Sequence, residues 1–142
     1  MATIKGVNQT LIDAGGVAVI SAGQLNGRVK VNMDSYSLAS QTGATDVLRL
    51  FGTLPAGARV LGIRLMQTGT QTSTISVGDL ASAARYLAAG ATGIQTAQAS
   101  LYIPCAQYTI GTSTNDNQII ITFAGAVGAA GTLYAEVYYV TD

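Results

Sequence analysis

The sequence is a succession of short apolar runs, and each run is closed by residues that favour turns. The runs are rich in Val, Ile, Leu, Thr and Tyr, and Gly, Asn, Asp, Ser or Pro follows them, a pattern typical of β-strands. About eight such runs predict an all-β fold, a jelly-roll-like β-sandwich. The predicted strands are Gly27–Asp34, Asp46–Phe51, Ala58–Gln67, Ser73–Val77, Ala99–Ile103, Gln107–Thr112, Gln118–Ala124 and Thr132–Val140.

Two of these runs alternate with the period of two that a half-buried strand requires. In Thr132–Val140 the odd-numbered residues are predicted to face a core and the even-numbered residues to face away. In Arg59–Gln67 the same logic places Val60 and Arg64 together on the side opposite the core. The consecutive isoleucines Ile119–Ile121 do not alternate, which predicts a strand that is either central in its sheet or covered by another subunit.

Two segments depart from the strand pattern. The alanine-rich segment Asp79–Gly90 predicts a short helix, because an Asp favours the start of a helix and a Gly its end. Residues 1–26 have no clean period, and the sandwich domain is therefore assigned to residues 27–142. The first 26 residues are interpreted either as an extended N-terminal arm that reaches a neighbour by strand addition or as an edge strand of the sandwich.

Charge is scarce in this chain, and that affects the choice of partners. Only 10% of the residues are charged, and seven acidic residues balance seven basic ones, whereas about 25% is usual. Copies without net charge tend to associate, so we expect a homo-oligomer; a monomer kept soluble by Thr, Ser, Gln and Asn is the alternative. The scattered basic residues predict no nucleic-acid partner, and the interrupted apolar runs predict no membrane insertion.

The residues that usually carry catalysis are missing. The chain has no His and one Cys, which argues against nucleophile–base pairs, zinc sites and cofactor chemistry. A pair of carboxylates assembled from the seven acidic residues is the remaining enzymatic alternative. The glycine-rich segment Gly125–Gly131 lacks the Lys-Ser/Thr of a phosphate loop and is interpreted as a hairpin connection. Cys105 is expected to be a buried apolar residue. We therefore predict no catalytic, cofactor or metal site.

The tyrosines are the best candidates for contacts between copies. Tyr134 and Tyr138 lie four residues apart on one face of the last predicted strand, with Glu136 between them. Tyrosine buries a large ring while its hydroxyl stays hydrated, which suits subunit interfaces. The alternative is a half-exposed strand face with ordinary cross-strand aromatic packing.

Several motifs resemble those of a known class of proteins. The segment Asp46–Leu65 contains an apolar strand, a Leu-Pro-Ala-Gly-Ala turn and a second apolar strand; Ser76–Leu80 carries Val-Gly-Asp, and Ala84–Leu87 follows. In this order the elements resemble tailed-bacteriophage capsid decoration (cement) proteins and other small virion structural proteins with a β-sandwich fold. The resemblance covers roughly Gly27–Val140.

The resemblance implies a structural virion protein, not an enzyme, made in the host cytoplasm and located on the capsid surface. It would bind the major capsid protein on the outside of the phage head, as a homo-oligomer with a trimer favoured, and stabilise the shell. The alternative is a tail- or fibre-associated module that recognises a host surface or a glycan. The predicted shell-binding residues of the arm are Ile4, Val7 and Leu11, and those between subunits are Met66, Tyr134 and Tyr138.

Overall fold

The computed structural model describes residues 28–38, 47–69, 73–90, 100–113, 115–124 and 131–141. These residues form seven β-strands. The strands are β1 (Lys30–Ser37), β2 (Val47–Leu50), β3 (Arg59–Gln67), β4 (Ile75–Asp79), β5 (Ser100–Thr109), β6 (Ile119–Phe123) and β7 (Thr132–Val140).

In the described part of the chain, the strands build two antiparallel sheets that form a β-sandwich. One sheet has the order β1-β7-β3-β5 and the other the order β2-β6-β4. Consecutive strands alternate between the sheets, and the first strand pairs with the last, which is a jelly-roll arrangement. An antiparallel bridge between Val77 and Leu87 lies on the free side of β4, where an eighth strand of such a fold would run. The predicted all-β sandwich is therefore confirmed.

The inward faces of both sheets supply the core. Buried side chains include Ile63 and Leu65 of β3, Val137 of β7 and Ile121 of β6, each fully inaccessible to solvent. The odd-numbered residues of β7, from Leu133 to Tyr139, face this core, as their alternation predicted. Strand β6 lies between β2 and β4, so its three consecutive isoleucines belong to a central strand, one of the two predicted alternatives.

Irregularities in the pairing of β3 with its two neighbours account for two errors of the sequence prediction. Val60 pairs with Tyr108 but Gly62 pairs with Pro104, so β5 carries extra residues between the two pairs. The predicted strands 99–103 and 107–112 are therefore one strand with a bulge. The same point of β3 is irregular against β7, where Val60 pairs with Tyr139 and Gly62 with Tyr138, so Leu61 is an extra residue of β3. This bulge turns Val60 into the core, where it is fully buried, although strict alternation placed it on the opposite face.

The predicted helix over Asp79–Gly90 is wrong: this segment consists of turns and the isolated bridge to Val77. The Asp79 carboxylate accepts hydrogen bonds from the backbone N–H groups of Ala81 and Ser82, at 3.0 and 2.8 Å. An Asp side chain that binds the backbone two and three residues ahead favours a turn over continued helix. Tertiary pairing of 86–87 with β4 then outweighs the helix propensity of the alanines.

A tight turn connects β2 to β3 at the Leu-Pro-Ala-Gly-Ala motif. In the Leu54–Gly57 turn the Ala58 N–H donates to the Pro55 carbonyl at 3.1 Å, and Gly57 has φ +81°, which favours glycine. Residues 1–26, including the predicted arm, lie outside the described residues.

Candidate interaction surface

The four-stranded sheet turns one face away from the core, and three rows of cross-strand neighbours cover it. The register places Val31, Tyr138, Gly62 and Pro104 side by side, then Met33, Glu136, Arg64 and Tyr102, then Ser35, Tyr134, Met66 and Ser100. We call these twelve residues the outer face. Because side chains alternate along a strand, all twelve point to the side opposite the core.

The outer face exposes large apolar side chains. Met33 is 74% exposed, Tyr102 56%, Tyr134 44% and Val31 43%. Single exposed apolar residues are normal on protein surfaces, but contiguous ones mark interaction sites. Val31, Met33 and Tyr134 are neighbours on β1 and β7 and form a patch, whereas Tyr102 lies on β5, beyond Glu136 and Arg64.

Charges in the middle of the outer face neutralise each other. Arg64 Nη1 lies 3.8 Å from Glu136 Oε2, and the Tyr138 hydroxyl donates to the same oxygen at 2.6 Å. The hydrogen bond to Glu136 raises the pKa of Tyr138 because it stabilises the protonated phenol. The outer face thus has no net charge to repel a second apolar surface.

Tyr102 lies over a glycine of the neighbouring strand. A Cβ atom added to Gly62 would be 2.2 Å from the Tyr102 hydroxyl oxygen, so the ring occupies the space that any other residue would fill. Glycine inside a strand often permits such a close approach. The ring therefore lies flat across the sheet and adds apolar surface to the outer face.

The structure brings together the three residues predicted for contacts between subunits. Met66 lies directly opposite Tyr134, and Tyr138 lies on the same face four residues further along β7. Whether they contact another copy stays a prediction. Sequence reasoning missed Met33 and Tyr102, although the alternation of the strands that carry them would have pointed to both. The predicted shell-binding residues Ile4, Val7 and Leu11 lie outside the described residues.

A second group of polar and aromatic residues lies where β4 ends, near the second half of β5. Asp79 is fully buried and forms an ion pair with Arg85, whose guanidinium carbon lies 4.2 Å from the centroid of the Tyr108 ring. The Tyr86 and Tyr108 rings meet edge to face, with centroids 5.9 Å apart. The bond to Asp79 raises the pKa of Arg85. Burial raises the pKa of Tyr86, and the Tyr108 hydroxyl donates to Asp116 at 3.3 Å.

A pocket of about 250 Å³ lies beside this group. Its lining residues are Arg85, Tyr86, Pro104, Cys105, Ala106 and Tyr108, and we call it the side pocket. Burial raises the pKa of the Cys105 thiol to about 12, because the apolar surroundings disfavour the thiolate. Cys105 is therefore an unreactive, neutral thiol near pH 7, in line with the buried apolar residue expected from the sequence.

Neither a metal centre nor a membrane-spanning helix emerges within the described ranges. No group of three or more His, Cys, Asp or Glu side chains is placed there to hold a metal ion. That part of the chain contains no helix that is long and apolar enough to cross a membrane.

Comparison with known proteins gives a structural similarity but no sequence family. No family model matches the chain, and no curated protein matches it. Among solved structures, a chain of the cyanophage Pam1 capsid asymmetric unit is similar, with a TM-score of 0.69 and 23% sequence identity. The similarity covers 91% of this chain and 96% of the other. At this identity it shows a shared fold.

Proposed function

We propose that this protein is a virion structural protein, a decoration (cement) protein that binds the outside of a phage head and stabilises the shell. The observation that carries the proposal is the fold shared with a chain of a phage capsid asymmetric unit over nearly the full length of both chains. The decoration role itself goes beyond that similarity. It is supported by the sequence motifs of such proteins and by the neutral, apolar outer face.

The proposed mechanism is mechanical. Each copy bridges neighbouring subunits of the major capsid protein, and the many equivalent contacts raise the free energy needed to separate them. A net binding free energy of a few kcal/mol at each site is ordinary for interfaces of moderate size. No chemical step, and hence no catalytic residue, is part of this mechanism.

The size of the outer face limits the area that it can bury against a partner. Four strands about 4.8 Å apart and three rows about 6.8 Å apart give roughly 400 Å² in projection. A stable interface buries about 800 Å² on each partner. The outer face therefore supplies about half of a standard interface between copies, and we propose that residues 1–26 bind the shell as an arm.

A binding experiment on capsid particles assembled without this protein tests the proposal. The wild-type protein should sediment with the particles and raise the temperature at which they disassemble. A variant with Ile4→Ser, Val7→Ser and Leu11→Ser should lose particle binding by tenfold or more, about 1.4 kcal/mol. Its own unfolding midpoint should stay that of the wild type.

The matched control carries Thr3→Ser and Thr10→Ser, which alter the same segment but remove only one methyl group at each position. This control should bind like the wild type. Full binding by the triple-serine variant would contradict the role of the arm, and failure of the wild type to bind any particle would contradict the decoration function. Binding to a host surface or a glycan instead would favour the tail- or fibre-associated alternative.

A further inference from the structure

The volume of the side pocket sets the size of what it can hold. Pockets for small ligands and cofactors usually measure about 300–1,000 Å³, and an apolar cavity of about 150 Å³ accommodates benzene. At about 250 Å³, the side pocket lies between these two sizes. It fits one large side chain rather than a cofactor.

The walls of the side pocket favour an uncharged occupant. Tyr86, Tyr108 and Pro104 supply rings, and Cys105 is a neutral thiol. Arg85 is the charged residue of the lining, and its charge is balanced by the fully buried Asp79. An additional carboxylate or ammonium group would lose its hydration there without gaining a free counter-charge.

One polar group of the lining lacks a partner. The Tyr86 hydroxyl oxygen is buried and has no hydrogen-bond partner among the described residues. A buried hydroxyl without a partner costs about 1–3 kcal/mol. Because this oxygen is buried, a carbonyl oxygen of a partner reaches it only if the Tyr86 ring turns towards the pocket.

The backbone at the rim excludes one common way of binding. Pro104 lies in β5, an edge strand in the described part of the chain, and a proline has no N–H for a further strand. Further along β5, Ala106 and Gln107 have φ values of +48° and +57°, so the edge is also irregular. A partner therefore meets this edge through a side chain and not by strand addition.

We propose that the side pocket receives one large apolar or aromatic side chain of the shell protein and anchors this chain to it. The inference rests on the proposed decoration function and names the part of the molecule that takes the anchor. Pro104 belongs both to the outer face and to the side pocket, so the pocket lies at the edge strand β5, beside the outer face. Anchors of this kind, buried in preformed pockets, carry most of the binding energy in many interfaces.

A second copy of this chain is the less suitable occupant. The exposed apolar residues of its outer face lie on flat strands. Residues on the adjacent strands, about 4.8 Å away, prevent any one of these side chains from entering the side pocket of another copy. Leu80, which is 40% exposed on a turn, and Val29, which is 54% exposed just before β1, are the exposed large apolar residues outside strands in the described part of the chain. The test below therefore includes the oligomeric state.

The test compares Ala106→Phe with Gln107→Phe in the particle-binding experiment. Both positions are exposed and have the same left-handed backbone, but only Ala106 lines the side pocket. Ala106→Phe should fill the pocket and weaken particle binding by tenfold or more, whereas Gln107→Phe should bind within about twofold of the wild type. Both variants should unfold at similar temperatures, because both bear the same backbone penalty.

Each outcome of this comparison has a distinct meaning. Equal binding by Ala106→Phe and the wild type overturns the anchor and leaves the decoration function standing. Absence of binding by the wild type overturns the decoration function itself. A change of oligomeric state in free Ala106→Phe, with Gln107→Phe unchanged, assigns the pocket to a second copy and overturns the shell protein as its occupant.

A second measurement uses the unaltered protein. Cys105 is the one cysteine of the sequence and lines the side pocket, so the alkylation rate of its peptide by iodoacetamide, followed by mass spectrometry at pH 9, reports access to the pocket. Binding to particles should slow this alkylation at least fivefold. An unchanged rate on particles that carry the protein overturns the anchor.

Discussion

At the scale of single residues, Gly62 and Gly78 each lie where a Cβ atom would collide with a neighbour, but the neighbours differ in kind. At Gly62 the nearest atom is the tip of the Tyr102 side chain, which is more than half exposed. At Gly78 it is the backbone carbonyl oxygen of Ser82, 2.1 Å away. A side-chain tip can rotate away, whereas the backbone of the turn is tied to Asp79.

The two glycines therefore predict different costs for one substitution. Gly62→Ala should change the free energy of unfolding by less than about 1 kcal/mol, and Gly78→Ala should lower it by about 2–4 kcal/mol, as expected for forced backbone shifts. Urea unfolding of the two variants measures this difference. Equal losses would mean that the turn after β4 gives way as readily as an exposed tyrosine.

The raised pKa of Cys105 predicts a loss of stability in alkaline solution. Its pKa rises from 9.0 to about 12 in the folded chain, so above pH 9 the unfolded chain releases a proton that the folded chain retains. The stability provided by the neutral thiol is present below pH 9 and is lost as the pH rises towards 12. Burial also raises the pKa of Tyr86, which lowers the free energy of unfolding further at higher pH.

The measurement is the free energy of unfolding between pH 8.5 and 10.5, for the wild type and for Cys105→Ala. The wild type should lose on the order of 2 kcal/mol more over this interval, since each pH unit contributes up to about 1.4 kcal/mol. Parallel curves for the two proteins would contradict the raised pKa of Cys105. The comparison of slopes does not depend on the cavity that the substitution leaves.

At the scale of elements, the outer face predicts how copies associate. Met33→Ser with Tyr134→Ser removes exposed apolar surface from the four-stranded sheet and should weaken self-association by tenfold or more. Val47→Ser is the control, because Val47 is 50% exposed but lies on the three-stranded sheet. Sedimentation velocity over a concentration series measures the dissociation constants.

The two outcomes of that series separate the alternatives for the tyrosines. If the double variant associates like the wild type, the outer face is an ordinary half-exposed strand surface with cross-strand packing. If only the double variant dissociates, the face is the contact between copies. The stoichiometry of the wild-type oligomer tests the expected trimer in the same experiment.

The elements also show which features the sequence could reveal. Period-two alternation in β7 predicted its buried and exposed faces, because β7 continues without an extra residue against both of its neighbours. It failed at Val60 in β3, where Leu61 is an extra residue against β7 and the resulting bulge changes the face. The helix predicted for Asp79–Gly90 failed for a similar reason, since pairing with Val77 is a tertiary interaction.

The candidate site was predictable only in part. Met66, Tyr134 and Tyr138 share the outer face because each follows the alternation of its own strand. The side pocket could not be predicted, since it joins residues 85–86 with residues 104–108 across two sheets and depends on the irregular backbone at Ala106. Local patterns do not contain pairings between segments so far apart.

At the scale of the whole molecule, scarce charge, a jelly-roll sandwich and an apolar sheet face all suit a chain that functions in many copies. Seven acidic and seven basic residues leave no net charge, so neighbouring copies do not repel one another over long distances. The outer face offers roughly half of a standard interface. Such a chain gains most from an assembly that repeats each weak contact many times.

The copy number of this chain in purified phage particles, relative to the major shell protein, tests the central claim most directly. Quantitative mass spectrometry of intact particles provides it. Hundreds of copies in a simple ratio to the shell protein are the result expected of a decoration protein that covers the lattice. A handful of copies would place the chain at the tail, a single vertex or a fibre, and its absence from the particles would contradict the virion function altogether.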